Sequence, residues 1–395
     1  MSPRLRSVVV LLVGGVALAF AANVIAPGFR MPLDFLEYWS AGRVNLRGGN
    51  PYHPDELLAE QRVADPDRTN AVMMWNPPPA LAVYMPLGLL SPQLAALLWV
   101  GLQLAAVFVA CDLLWRTYCP THRWFSPLVA VSFVGTWWLV EYGQNTGLLQ
   151  LGLAGFLHFA QKEKPLTAGA FAALTALKPH LLAVFGVLLV ANAIRRGGAK
   201  ALGAGVAVIA LALGAVLLTN PHAVAQFVEA TRHPAEGAVK LSDWWLPTPA
   251  FWIRHRYAPA HFWVQFVPCA VACAAFLLYR LRKGSAWDWS RALPLVVAVS
   301  VLTTPYGGWI FDLPVLLVPV VWAAARLVRA KKWLLAFALV FGQAAITAMT
   351  FSLPQALGRP VGLHDFGWVA PAALVLCLLA LAGKEEPQMT QKDAD

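Results

Sequence analysis

Apolar residues run through this chain in long windows: 8–25, 92–115, 126–140, 145–161, 165–177, 180–194, 200–219, 261–279, 292–304, 309–325, 333–350 and 367–383. Several approach the ~20 residues a helix needs to cross a bilayer, and they lack the polar stripe that a soluble helix shows to water. The pattern predicts an all-α, polytopic helical membrane protein with about 10–12 transmembrane helices. Two places strain it. Windows 165–177 and 180–194 are short for a crossing and are separated by Lys178-Pro179-His180. They are expected to form a hairpin with a partly buried tip, because proline interrupts a helix and a charge at that depth needs a partner. Residues 77–91 are apolar but too short to cross. They are expected to form a re-entrant or surface helix, tolerable only if protein covers its backbone.

Composition fixes the class. The chain of 395 residues is 59% hydrophobic and 13% charged, against roughly 45–50% and about 25% for soluble domains. With the N-terminus placed in the cytoplasm, the cytoplasmic segments collect 19 of the 30 Lys and Arg residues. That bias sets orientation in membrane proteins, and it accounts for the net charge of +10 without nucleic acid. The expected layout is one integral-membrane unit over residues 1–383 of a multi-pass cell-membrane protein, ending in a short cytoplasmic tail, 384–395. Two large extracytoplasmic loops, 26–91 and 220–260, gather most of the polar chemistry on one face. Window 8–25 resembles a signal peptide but is long for one, and is taken as a retained span. The five cysteines show no metal-ligand spacing, and no Gly-rich nucleotide loop is present.

The polar candidates lie in those loops and in the short turns and breaks between the other windows. Asp34 and Glu37 are three apart and share a helix face. Asp34 is either an N-cap for the helix that follows or a general base at the water interface. Neither acid forms an Asp-x-Asp pair, so no divalent metal or other cofactor is expected. Tyr38-Trp39, Tyr52, Trp75, Asn76 and Trp244-Trp245 offer rings and an amide for sugars, although aromatic residues also anchor proteins at the headgroup level. Lys178 and His180 flank a helix break, suited either to a phosphate or to snorkelling and packing. Gln144 and Asn145 sit in a tight turn, Asp312 lies one turn inside a late window, and His364 occupies the last outer loop.

Taken in order, these motifs resemble glycosyltransferase family 87. The resemblance rests on Asp34-Phe35, Tyr38, Ala41-Gly42-Arg43 and Asn50-Pro51-Tyr52, then Trp75-Asn76-Pro77-Pro78 with Met85-Pro86-Leu87. Gly143-Gln144-Asn145, Leu177-Lys178-Pro179 and Thr304-Pro305 through Trp309 complete it. Asn76 departs from it, standing where the family commonly has an aromatic residue. The resemblance implies a GT-C-like fold and an extracytoplasmic site with Asp34 as catalytic base. A polyprenyl-phosphate sugar, mannose as first choice among hexoses and pentoses, would pass with inversion to a glycan or glycolipid acceptor. Lys178 would meet the leaving phosphate, with Arg254, Arg256 and His364 behind it. Glu37, Tyr38, Arg43, Tyr52, Asn76 and Gln144 are expected to bind substrate, as are Asn145, His180, Trp244, Trp245 and His364. A lipid-linked glycan ligase or polymerase, and a transporter or flippase, are the alternatives.

Overall fold

In the computed structural model, the described residues are 31–193, 198–233 and 241–382, and they form helices joined by short connections with no strand. The expected span 8–25 and the tail 384–395 lie outside the described residues. Among the described residues, six helices are long and apolar enough to cross a membrane: Pro92–Tyr118, Gly198–Thr219, Phe262–Ala286, Ile310–Arg329, Trp333–Leu357 and Leu363–Ala382. Shorter apolar helices cover Pro165–Leu177, Pro179–Asn192 and Trp289–Thr303. The protein is a multi-pass, all-α membrane protein, and the segment Ile310–Arg329, 89% buried, runs through its centre.

Two windows break where backbone groups find new partners. Window 126–140 is two helices, α5 (Ser126–Ser132) and α6 (Val134–Tyr142), hinged at Phe133 in an extended conformation. The carbonyls exposed by the break are capped from α6 itself: Thr136 Oγ1 donates to Ala130 at 2.7 Å and Trp137 Nε1 to Val131 at 2.7 Å. A helix end inside a membrane protein requires such partners. The earlier helices are α1 (Leu33–Leu46), α2 (Pro54–Ala64), α3 (Leu81–Gly88) and α4 (Pro92–Tyr118); α7 is Thr146–Gln161.

The second break makes the expected hairpin. Helix α8 (Pro165–Ala172) tightens into a 3-10 turn through Leu177, and Lys178 reverses the chain into a second 3-10 turn and α9 (Ala183–Asn192). The first arm begins and the second ends near the N-terminus of α10 (Gly198–Thr219), for Gly169 packs on the Ala201 backbone and Asn192 on Gly198. Each arm is about 22 Å long. That is short of the ~30 Å hydrocarbon core, so Lys178 sits inside the protein at the tip.

Within residues 77–91 a 3-10 turn (Pro78–Ala80) leads into the short helix α3, and protein packs against its backbone. Gly42 of α1 and Gly88 of α3 allow backbone contact: a Cβ on Gly42 would lie 2.4 Å from the Tyr84 carbonyl oxygen. Gly42→Ala is therefore expected to destabilise the protein by about 1–3 kcal/mol through overpacking. Thermal unfolding in detergent measures this; an unchanged melting temperature would show that the two helices part freely. The remaining helices are α11 (Ala223–Arg232), α12 (Pro249–Tyr257), α13 (Val267–Lys283), α14 (Trp289–Thr303), α15 (Leu317–Arg329), α16 (Trp333–Leu357) and α17 (Val369–Ala382).

Candidate active site

Asp34 does not cap α1. Pro32 holds the N-cap position, and Asp34 stands in the first turn. Its carboxylate instead accepts a hydrogen bond from Gln144 Nε2 at 2.5 Å. Gln144 is placed by Gly143, whose positive φ of 68° ends α6 in the left-handed turn that glycine adopts without penalty. The Gln144 carbonyl oxygen accepts from Tyr38 Oη at 2.8 Å and from Lys178 Nζ at 2.6 Å. Lys178 Nζ also pairs with Asp312 at 2.7 Å, and the second Asp312 oxygen accepts from the Gly308 amide at 3.0 Å. One continuous polar chain thus runs from Asp34 through Gln144 and Lys178 to Asp312. It joins α1, the α6–α7 turn, the hairpin tip and the 3-10 turn Ile310–Leu316.

The chain borders a cavity of about 380 Å³. Asp34, Glu37, Asn76, Gln144, Lys178, His180 and His364 supply its polar wall; Trp75, Tyr142, Trp244, Trp245, Tyr306, Trp309 and Phe311 supply most of the rest. Trp244 packs on Tyr306 and Trp309, with ring centroids 5.2 Å apart in both cases. Aromatic walls with a few convergent polar groups suit sugar rings and apolar chains. Lys178 is the one Lys or Arg among the described lining residues. Burial pushes the Asp34 carboxyl up to about 6, against the opposing pull of the Gln144 hydrogen bond and the Lys178 charge.

Several expected contacts belong elsewhere. Tyr38 is fully buried behind the wall, stacked on Tyr84 at 4.5 Å, and it serves to hold Gln144. Trp39 is buried too, its Nε1 donating to Leu90. Arg43 turns away to Glu60 at 2.7 Å and to the Gly88 carbonyl, because α1 presents it to α2 and α3. Tyr52 supports Asn76 from outside through its hydroxyl, and Asn145 points back to the Tyr84 hydroxyl at 2.7 Å. Asn76 lines the cavity while donating to the Leu177 carbonyl at 2.8 Å, which fixes the residue before Lys178. Arg254 is held by the Ser242 carbonyl and two phenylalanine rings, and neither it nor Arg256 reaches the cavity. Asp312 was not expected as a site residue, although an acid inside an apolar window was its signal. Tyr306 and Trp309 lay in the Thr304-to-Trp309 motif without being named as contacts, and Tyr142 and Phe311 carried no such signal, being aromatic residues in an aromatic-rich chain.

The model of glycosyltransferase family 87 matches residues 75–305, more than half of the chain. The protein belongs to this family. It is a membrane glycosyltransferase. Comparison with curated proteins and with solved structures gives no match. The matched stretch holds Trp75 to Pro78, Gly143 to Asn145, Leu177 to Pro179 and Thr304-Pro305. Asp34 and Asp312 fall outside it. They are tied to the family 87 segment physically, Asp34 by Gln144 and Asp312 by Lys178.

Proposed function

We propose that this family 87 glycosyltransferase moves a hexose or pentose, mannose as first choice, from a polyprenyl-phosphate donor to a hydroxyl of a glycan or glycolipid. The observation that carries the reading is the shared amide: the candidate base Asp34 and the cation Lys178 bond opposite ends of Gln144 beside one cavity. The acceptor hydroxyl gives its proton to the Asp34 carboxylate while its oxygen bonds the sugar C1. The bond from C1 to the phosphate oxygen breaks, and polyprenyl phosphate departs with the electron pair. A single displacement inverts the anomeric centre. Lys178 has three N–H donors and gives two to Gln144 and Asp312, so one remains for the phosphate. The reading requires no metal. The bias of Lys and Arg toward one set of loops supports an extracytoplasmic site. Family membership removes the transporter alternative.

Purified protein, a radiolabelled polyprenyl-phosphate sugar and a glycolipid acceptor test this directly. A covalent product with inverted anomeric configuration by NMR is expected. No product from any such donor, or retained configuration, would overturn the reading. The pH profile adds a second check. A general base works ionised, so the rate should fall as pH drops through about 6, the value to which burial raises Asp34. Gln144→Leu removes the hydrogen bond that opposes this shift, so the acid limb should move to higher pH. A limb that stays put would separate Gln144 from the titrating group.

A further inference from the structure

Of the two acids lining the cavity, Glu37 is the one that the transfer chemistry leaves without a role. It lies one turn along α1 from Asp34, lines the same cavity and is 8% exposed. Among the described residues no cation pairs with it, since Lys178 is committed to Gln144 and Asp312. The Tyr38 hydroxyl approaches it, but that hydroxyl donates its hydrogen to Gln144. The charged and titratable groups around it are Asp34 on its own helix, Tyr38, Tyr84, Lys178 at the hairpin tip, Tyr306 and Asp312. A buried carboxylate without a cation or donors is costly, so the group holds its proton. Burial first, then the Asp34 charge, pushes the Glu37 carboxyl well above its usual range. A protonated carboxyl presents one donor and one acceptor, the pattern that a sugar hydroxyl completes.

We propose that Glu37 is the specificity-determining residue of the site, its carboxyl group hydrogen-bonding the hydroxyl on the sugar carbon next to the anomeric carbon. The inference rests on the donor reading above. With the attacking oxygen held by Asp34, C1 lies just beyond that oxygen. Residues three apart on a helix have Cβ atoms about 5–6 Å apart, and both side chains line the same cavity, so the ring substituent nearest the reacting carbon, that on C2, is the one Glu37 meets first. Its placement makes it a reader of the donor, whereas Asp34 performs the proton transfer.

The test compares kcat/KM for the polyprenyl-phosphate hexose that the wild type turns over with that for its 2-deoxy and 3-deoxy analogues. Wild type, Glu37→Gln and Glu37→Leu are assayed side by side, with thermal melting. Comparing ratios between variants cancels the intrinsic reactivity of each analogue. The wild-type preference for the intact donor over the 2-deoxy donor should fall about 10- to 100-fold in Glu37→Leu. The 3-deoxy ratio should stay as it was, and Glu37→Gln, slower but still able to donate and accept, should keep the wild-type pattern. Glu37→Leu should melt no lower than wild type, because an apolar side chain replaces a buried acid without an ionic partner. An unchanged 2-deoxy ratio, a change at the 3-position instead, or an unfolded Glu37→Leu would each overturn the proposal. So would a Glu37→Gln protein as inactive as a variant lacking the base. Failure of the wild type to use any polyprenyl-phosphate sugar would overturn the donor reading itself, and is distinguishable because it precedes any comparison of variants.

Discussion

Asp34→Asn is expected to lower kcat by about 10³-fold, within the usual span of 10²–10⁴ for loss of a positioned general base, while the protein melts close to wild type. The substitution is nearly isosteric, and the Asn carbonyl can still accept the Gln144 Nε2–H that Asp34 accepts at 2.5 Å. What it removes is the capacity to take a proton. KM for the donor should change little, because Asp34 meets the acceptor hydroxyl and not the phosphate. The cap explanation predicts the opposite pair of results: a loss of about 1 kcal/mol in stability with chemistry intact. Since Pro32 occupies the N-cap, no cap is lost, and relief of a buried charge offsets the weaker interaction with the helix dipole. Initial rates with labelled donor and a melting curve decide the matter. Turnover within tenfold of wild type would remove Asp34 as the base.

The sequence was most legible where one property repeats. Hydropathy located the helices because a crossing segment must be apolar along its whole length, and Lys178-Pro179 marked the hairpin tip because both residues oppose a continuous span. Lys178, Gln144 and Asp34 could each be named from sequence as polar residues that an apolar chain has no structural need to carry. Their connection could not, since Asp34 and Gln144 meet only after α1 packs against the α6–α7 turn. Side-chain direction was the main loss. Tyr38 and Arg43 share a helix with Asp34, yet α3 and α2 claim them. Gln144 and Asn145 are adjacent, but the turn sends one to the cavity and the other to Tyr84. Asp312 shows the limit most clearly: an acid in an apolar window was visible, while its partner 134 positions away was set by tertiary packing alone.

That partner makes the second large effect separable from simple unfolding. Lys178→Met is expected to lower kcat/KM by about 10²–10³-fold through loss of a donor to the leaving phosphate. It should also destabilise the protein by about 3–5 kcal/mol, because the Asp312 charge is left buried without its cation. Activity lost by a protein that scarcely folds proves nothing, so the informative variant is Lys178→Met combined with Asp312→Asn. The Asn side chain keeps an oxygen for the Gly308 amide that donates to Asp312 at 3.0 Å, and no unpaired charge remains. Melting temperature should return most of the way to wild type, while kcat/KM stays near the value of the single variant. Asp312→Asn alone, which retains Lys178 on Gln144, should keep more activity than either Lys178 variant. If the double variant recovers to within tenfold of wild type, Lys178 does no more than neutralise Asp312, and the leaving phosphate must be met by His180 or His364 at the same cavity wall. If stability returns without activity, the third N–H of Lys178 is the group the reaction uses.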